Sequence, residues 1–570
     1  MTQKSSMAQV FSWRRVGDTG VLVELADLDE VLALDQQVRD ALGSDASDGR
    51  VLATAIDVVP AARTLLVTVP AGQDLARLAA ELRSLADGLE VAAGWDRLEE
   101  IELPVHYDGP DLQEVASLTG LTVAEVVAAH TGTPWRAAFG GFAPGFTYLV
   151  GGDPRLQVPR RSEPRTAVPP GSVALAGEFS AVYPRSSPGG WQLLGQVDVA
   201  MWDVDRDPPA LVRPGMRVRF VDAGRPRDGA GPGRARPQPA PAPVRPAPAR
   251  APSKAPAPAT SAPQAPATSE AGGRRRGSLT VLETGPMALL QDRGRPGLAH
   301  LGVGRSGAAD RGAHALGQRL LGNDPDCAAI ELTLGGLVLT TDTDCLVTVT
   351  GAPAPAELDG GPVGHAAVLR LGAGRVLRVG APAYGLRSYV SVRGGIHVPP
   401  VLGSRSTDTL AGLGPEPLRA GDELPLGEPR GTLPALDQAP LRLGPTPVAT
   451  MRLVPGPRAD WLADPDVLIR TTWEVSSRSD RIGARLTGAT VARHPDHHGQ
   501  ELPTEGVARG SVQVPAGGEP VLFLADHPVT GGYPVAAVVL DADLDRAAQL
   551  RPGDALRFAW ARPGGSREPC

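Results

Sequence analysis

GSVALAGEFSAVYPRSSPGGWQLLGQVDVAMWDVDRDPPALVRPGMRVRF, residues Gly171–Phe220, is a series of short apolar runs broken by glycine and proline. That texture predicts short strands joined by tight turns, as in a barrel or sandwich. A second segment, Gly510–Phe558, repeats its landmarks in the same order. GSVQV stands for GSVAL, VTGGY (Val529–Tyr533) for SPGGW (Ser187–Trp191), and QLRPGDALRF for LVRPGMRVRF. A fainter copy, PLRAGDEL at Pro417–Leu424, follows RGGIHV at Arg393–Val398. Three endings of one kind, a turn feeding a strand, predict three related β-barrel units.

Outward from these repeats the chain divides. Gly224–Gly277 holds 13 prolines in 54 residues, with ten basic and two acidic side chains and almost no large apolar one. Such a stretch cannot bury enough apolar surface to offset its ordering entropy, so residues 223–277 are expected to be a disordered Pro/Ala-rich linker between two independently folding halves. Before it, Asp18–Leu25 (DTGVLVEL), Val51–Val59, Thr64–Val69 and Ile101–Val105 read as strands. Val31–Leu42 and Asp74–Ala86 read as amphipathic helices, and the β-α-β-β-α-β order predicts a ferredoxin-like module over residues 11–100. Asp111–Thr131 reads as a helical pair, with Thr122 and Glu125 at capping-box spacing. The barrels are expected at 101–222, 278–428 and 429–562, making the chain mainly β with α+β.

Composition excludes several functions. The 570 residues include 69 Gly and 58 Pro, nearly double the roughly 12% of an average protein, and only 4% aromatics. A net charge of −7 argues against a nucleic-acid partner. Cys327, Cys345 and Cys570 form no C-x-x-C pair, which fits a reducing, cytoplasmic setting. Neither a signal-peptide h-region nor an apolar run of membrane-spanning length is present, so no membrane partner is expected. Lys4 and Lys254 are the only lysines, both in segments expected to be unfolded. A Walker A loop, a Schiff-base lysine, a biotinylated lysine and an amidase lysine are thereby excluded. Anions must be held by arginine, backbone amides or a metal.

Two motifs have competing readings. GVGRSG at Gly302–Gly307 fits G-x-G-x-x-G but lacks a proper strand before it. It reads as a loop into a helix, Arg311–Leu321, with Asp310 as N-cap and Gly322 as stop, or as backbone amides holding an anion beside Arg305. Phe139–Arg165 alternates Gly and Pro with aromatics before three arginines, and is either an aromatic-walled anion pocket or a packed surface loop. His494, Asp496, His497 and His498 are metal-ligand types, but the stretch reads as a solvated loop and no metal site is expected.

At PVHYDG, GFAPGFTYL, PRRSEPR, PPGSVALAG, VYPRSSPGGW and RPGMRVRF, the sequence resembles the B component of 5-oxoprolinase, the allophanate hydrolase subunit 1 or KipI family. After the linker, QDRGRPGLAHLGVGRSGAAD, LGNDPDCAAIELTLGG, YVSVRGGIHVPPVLGSRST, PGPRADWL, SSRSDRIGARLTG and DHPVTGGYPVAAVV resemble the C component, the allophanate hydrolase subunit 2 or KipA family. The resemblance implies a B–C fusion with cyclophilin-like barrels that opens 5-oxoproline to glutamate with ATP and Mg2+, together with a separate protein, the 5-oxoprolinase A component. Homo-oligomerisation stays open.

The resemblance also implies site residues. Phe142, Pro144, Gly145, Phe146 and Tyr148 would wall a pocket, with Arg160, Arg161 and Arg165 on carboxylate or phosphate. Gly189, Gly190 and Trp191 would form a second loop. The second half would contribute Arg305, Ser306, Arg405, Ser406, Thr407, Arg478, Asp480, Arg481, Thr530, Gly531, Gly532 and Tyr533. His130, Asp310 and Asp526 would be catalytic. Asp310 as a helix cap and Asp480–Arg481 as an ion pair are the structural alternatives. The sequence departs from the family at His106, where Cys is frequent, and at Gln196–Val197, where Arg-Thr is common, which leaves that pocket edge in doubt. Two other roles stay open: the carboxyltransferase component of a biotin-dependent urea carboxylase, and a KipI/KipA-like regulator of a histidine kinase. Direct allophanate hydrolysis lacks its amidase lysine.

Overall fold

The structure, a computed structural model, describes residues 11–43, 49–89, 99–161, 163–224, 277–441, 444 and 448–561. The expected linker lies, over 225–276, outside the described residues, as do Lys4, Lys254 and Cys570.

The sequence repeat is a repeat of topology. In the last unit a closed barrel runs Val448–Pro455, Val535–Val539, Ser511–Gln513, Val521–Phe523, Gly483–Thr487, Thr472–Val475 and Ala555–Trp560. The first half carries the same circuit: Glu100–Val105, Gln192–Gln196, Ser172–Ala176, Phe179–Val182, Thr147–Val150, Trp135–Gly140 and Arg217–Asp222. There the ring closes through one bridge, His106 to Gln196, whose amides and carbonyls exchange two hydrogen bonds of 2.9 Å. The two positions that depart from the family are therefore partners in a barrel seam. In each barrel the RPG turn feeds the last strand, which pairs parallel with the first and antiparallel with the strand at 135–140 or 472–475.

The middle unit differs from the expected barrel. It is two sheets, of six and five strands, around one apolar core. Isolated bridges from Ile396 to Ala328 and Leu426 join them. Gly394 and Gly395, both at positive φ, break the strand there; a Cβ on Gly395 would lie 2.8 Å from the Cys327 Cβ.

The N-terminal module also departs from expectation. Its sheet is ordered Ser12–Val16, Gly20–Glu24, Thr64–Thr68, Asp57–Pro60, all antiparallel. The expected last strand, Glu100–Val105, pairs instead with Arg217–Asp222 in the barrel, and Ser12–Val16 takes the edge. Helices Leu28–Gly43 and Leu75–Ala86 cover one face. The helical pair is Leu112–Thr119 and Val123–Gly132, with the Thr122–Glu125 capping box formed. No described helix is long and apolar enough to cross a membrane by itself.

The halves are not independent. Val21, Val23, Leu65 and Val67 point to the helices, while Leu22 and Leu66 point the other way. That second face packs on Ala299, Ala508, Val529, Val535 and Val538 of the other half. Gly506 lets the surfaces meet, since a Cβ there would lie 2.7 Å from the Leu66 Cβ. Polar contacts rim the seam: Arg458 bridges Glu24 and Glu505, the Asp541 amide donates to Asp18 at 3.0 Å, and the Phe142 amide donates to Thr530 Oγ1 at 3.0 Å. A chain cut at a protease site introduced between 224 and 277 is expected to elute as one complex. Leu66→Asp, which buries a charge in that seam, should release the fragments; co-elution unaffected by Leu66→Asp would contradict the interface.

Candidate functional site

A cleft of about 900 Å³ opens where the N-terminal module meets both units of the second half. The module supplies Asp57, Thr68 and Val69. The middle unit supplies Arg305 and Arg311, and the last barrel supplies Arg509, His527 and Asp541. Asp57 is fixed from across the seam, accepting hydrogen bonds from the Gly297 and Ala299 amides at 2.8 and 3.4 Å. Burial raises its carboxyl to about 6.

Like charges are crowded here. Burial, then Arg509 and Arg305, hold Arg311 well below the usual arginine range. Burial lowers Arg305 too, with Arg293 and Arg509 adding to the effect against the attraction of Asp57. Arg509 donates to the Ala309 carbonyl at 2.8 Å, lies 3.7 and 3.5 Å from Asp541 and Asp545, and keeps a buried Nε without a partner. The Arg311 guanidinium has no hydrogen bond or ion pair among the described residues. A part-buried cation beside two others, with Asp541 and Asp545 near but not paired to it, is suited to receive an anion.

The anion is not held by the helix start. Asp310 caps the Ala313 amide, Asp545 takes the Arg311 and Gly312 amides, and Glu331 and the Tyr389 hydroxyl take those of Ala309 and Asp310. Guanidinium groups are what remain. His527 completes the cleft. Its Nδ1 donates to the Pro528 carbonyl at 2.9 Å, so Nε2 carries the lone pair, and burial with Arg311 and Arg509 lowers its pKa to about 4.

Of the expected site residues, only Arg305 lines this cleft. Ser306 and Asp526 lie behind it. Ser306 Oγ and Thr409 Oγ1 each donate to Asp526 at 2.7 Å, and Arg481 grips the same carboxylate bidentately at 2.9 and 3.0 Å. Arg481 also reaches Glu331 and the Gly307 carbonyl. Asp526, saturated and fully buried, therefore braces loops and is not placed as a catalytic group. Asp310 serves as helix cap and accepts from Gln549 at 2.7 Å. The Arg405 amide and Ser406 Oγ donate to Asp292 at 2.6 Å, and Thr407 Oγ1 donates to the Pro415 carbonyl. The alternative Asp480–Arg481 ion pair is not formed among the described residues, where Arg481 pairs with Asp526 and Glu331. Arg478 pairs with Glu519, and Asp480 caps its own turn.

The first half gives a second grouping. Phe146, Tyr148, Tyr183 and Trp191 pack edge to face, with Phe142 against Phe146 at 5.2 Å. Phe142 and Gly145, at φ 61° and 77°, turn this loop, flanking Pro144, toward Thr530. Gly532 lies by Arg160, 3.3 Å from its Nη1 to a notional Cβ, and Gly531 and Tyr533 continue that loop. Arg161 and Arg165 are committed elsewhere, donating to Asp111 at 2.8 and 2.6 Å beside Gly189 and Gly190. His130 is a core residue: its Nδ1 meets Tyr107 Oη at 2.7 Å, its Nε2 meets Ser180 Oγ at 3.1 Å, and its ring stacks on Phe220 at 4.4 Å. Burial lowers its pKa to about 3. Sequence reasoning missed Asp57, Arg311, Arg509 and His527. His527 sits inside DHPVTGGY and Arg311 directly after the capping Asp310, so position in a motif was their one available signal. His497 stacks on Trp461 at 4.3 Å, and among the described residues no group of three or more His, Cys, Asp or Glu is placed to hold a metal.

Two family descriptions match: carboxyltransferase domain, subdomain C and D, over residues 11–212, and carboxyltransferase domain, subdomain A and B, over 301–560. The chain is 37% identical over 286 residues to the C component of 5-oxoprolinase from Escherichia coli (strain K12), spanning 49% of this chain and 90% of that protein. It is 48% identical over 124 residues to the B component of 5-oxoprolinase from Escherichia coli O157:H7, spanning 21% of this chain and 57% of that protein. It is 32% identical over 302 residues to urea amidolyase of Saccharomyces cerevisiae (strain ATCC 204508 / S288c), 49% of this chain but 16% of that protein. The crystal structure of TTHA0988 superposes with a TM-score of 0.76 at 32% identity, covering 95% of this chain and all of that one, both halves together.

Arg311→Gln should weaken binding of inorganic triphosphate at least about tenfold, since a charge-assisted contact is worth roughly 1.5–3 kcal/mol; titration calorimetry reads this directly. Arg161→Gln should lower stability instead and leave triphosphate affinity unchanged. His130→Gln should cost about 1–3 kcal/mol of stability without abolishing turnover. Because the folded state resists protonating His130, its contribution is complete above roughly pH 6.5 and declines as pH falls toward 3. Urea titrations of both chains across that range check the sign.

Proposed function

Because the chain belongs to the carboxyltransferase-domain family and carries counterparts of the B and C components of 5-oxoprolinase on one polypeptide, we propose that it is the B–C component of an ATP-dependent 5-oxoprolinase acting with a separate A component. The observation that supports this most is the unpartnered Arg311 beside Arg305 and Arg509, in a cleft that neither half makes alone.

The chemistry suits such a site. A five-membered lactam is a stable amide. Transfer of the γ-phosphoryl group of ATP to its carbonyl oxygen releases ADP and gives an imidate carbon open to water. Addition of water, ring C–N cleavage and hydrolytic loss of phosphate then leave glutamate, so ATP and two waters are consumed for each ring opened. Such transfer needs positioned cations more than covalent groups. Arg305, Arg311 and Arg509 would hold the phosphate oxygens. His527, neutral at physiological pH, offers Nε2 to take a proton from water. Mg2+ would arrive with the nucleotide, taking most ligands from phosphate and water, with Asp57 and Asp541 as the cleft carboxylates available to it, and would neutralise phosphate charge.

The likeness to urea amidolyase supports a second reading, carboxyl transfer from a biotin carrier to urea. Mixed with a cognate A component, ATP and 5-oxoproline, the chain is expected to give 5-oxoproline-stimulated ADP release and glutamate, both lost when either protein is omitted. ADP release indifferent to 5-oxoproline, with urea carboxylated from a carboxybiotin carrier, would decide for the second reading.

A further inference from the structure

Behind the arginine cleft, the same seam encloses a second charged group that no role above absorbs. Arg295, 2% exposed, gives Nη2 to the Ser406 carbonyl, while its Nε and Nη1 are buried without partners. Arg185 comes from the first half, in VYPRSSPGGW, and its buried Nε is likewise unpartnered. Asp408, 2% exposed, spends Oδ1 on the Leu410 and Ala411 amides at 3.0 and 2.8 Å. No hydrogen bond from a described residue reaches its Oδ2. Both guanidinium groups feel the Asp408 charge, yet neither forms an ion pair with it among the described residues. Burial and the neighbouring Asp526 push the Asp408 carboxyl up.

The Asp408–Pro415 loop passes close to both guanidinium groups: a Cβ on Gly412 would lie 3.5 Å from Arg185 Nη1, and one on Gly414, which the Ser406 carbonyl already forbids at 2.0 Å, would lie 3.3 Å from Arg295 Nη2. Gly304 lines the arginine cleft on one side, and a Cβ there would lie 3.9 Å from Asp408 Oδ2 on the other. The group is thus separated from the cleft by a backbone without a side chain.

We propose that Arg185, Arg295 and Asp408 form a second ligand site, contributed by both halves, that takes a small molecule bearing a carboxylate and an amide N–H, which in the reading above is the lactam acid itself. The carboxylate would lie between the two guanidinium groups, and the N–H would donate to Asp408 Oδ2. This assignment rests on the proposed function.

Titration calorimetry of the full chain with 5-oxoproline, without nucleotide, tests it. Binding is expected, with 2-pyrrolidinone (no carboxylate) and proline (no lactam) at least about tenfold weaker. Arg185→Gln and Asp408→Asn should each weaken 5-oxoproline at least about tenfold, whereas Arg311→Gln should not. Unchanged affinity in Arg185→Gln and Asp408→Asn chains that melt like the wild type would overturn the site. Should Arg185→Gln fail to fold, Arg185→Lys and a crystal structure with 5-oxoproline decide, ligand at Asp408 supporting the site and ordered water only overturning it. Glutamate formation with the A component but no 5-oxoproline binding to this chain sinks the site and spares the proposed function. Binding here without glutamate formation does the reverse.

Discussion

Two short strands buried on both faces govern this molecule. VLV at Val21–Val23 and LLV at Leu65–Val67 send alternate side chains to opposite sides of one sheet. Only one side has helices of its own. Left in water, the other would expose an apolar patch, and burial of such surface is worth about 25 cal/mol per Å². The second half covers it, which fixes the orientation of the halves across a seam that brings Asp57 against Gly297 and Phe142 against Thr530. The arginine cleft exists because of that docking.

Surroundings, not residue type, assign each arginine its work. Arg481 is held between Asp526 and Glu331, Arg458 between Glu24 and Glu505, and Arg161 and Arg165 share Asp111. Each of these is neutralised and structural. Arg311 lies against two other cations and, though Asp541 and Asp545 attract it, its guanidinium forms no ion pair among the described residues. With lysine nearly absent from the sequence, guanidinium forks are the side chains available for anion recognition, and their planar donors suit the oxygens of phosphate and carboxylate.

Much of the fold was legible. The shared GSV, GG and RPG landmarks follow strand order because a turn residue must recur wherever the same turn recurs. Local signals were equally faithful: Thr122–Glu125 forms its capping box and Asp310 its cap. What failed was long-range. Ile101–Val105 has the same apolar alternation whichever sheet it joins, so its parallel pairing with the strand at 217–222 left no local mark. The proline-rich stretch suggested independent halves because it carries no trace of what its flanks bury. The site was the least legible part. Which arginine finds a carboxylate depends on side chains hundreds of residues away, so Arg161 looked like a binding group and Arg311 did not.

The proposed function turns on one cleft, made jointly by both halves, that would receive an anionic co-substrate. Amide hydrogen exchange of the intact chain, with and without ATP, tests this most directly. ATP should slow exchange together at Ile56–Asp57 in the first half, at Gly297 and Arg305–Arg311, and at Arg509 in the last barrel. Protection confined to one half, or appearing only around the Phe142 loop, would contradict it.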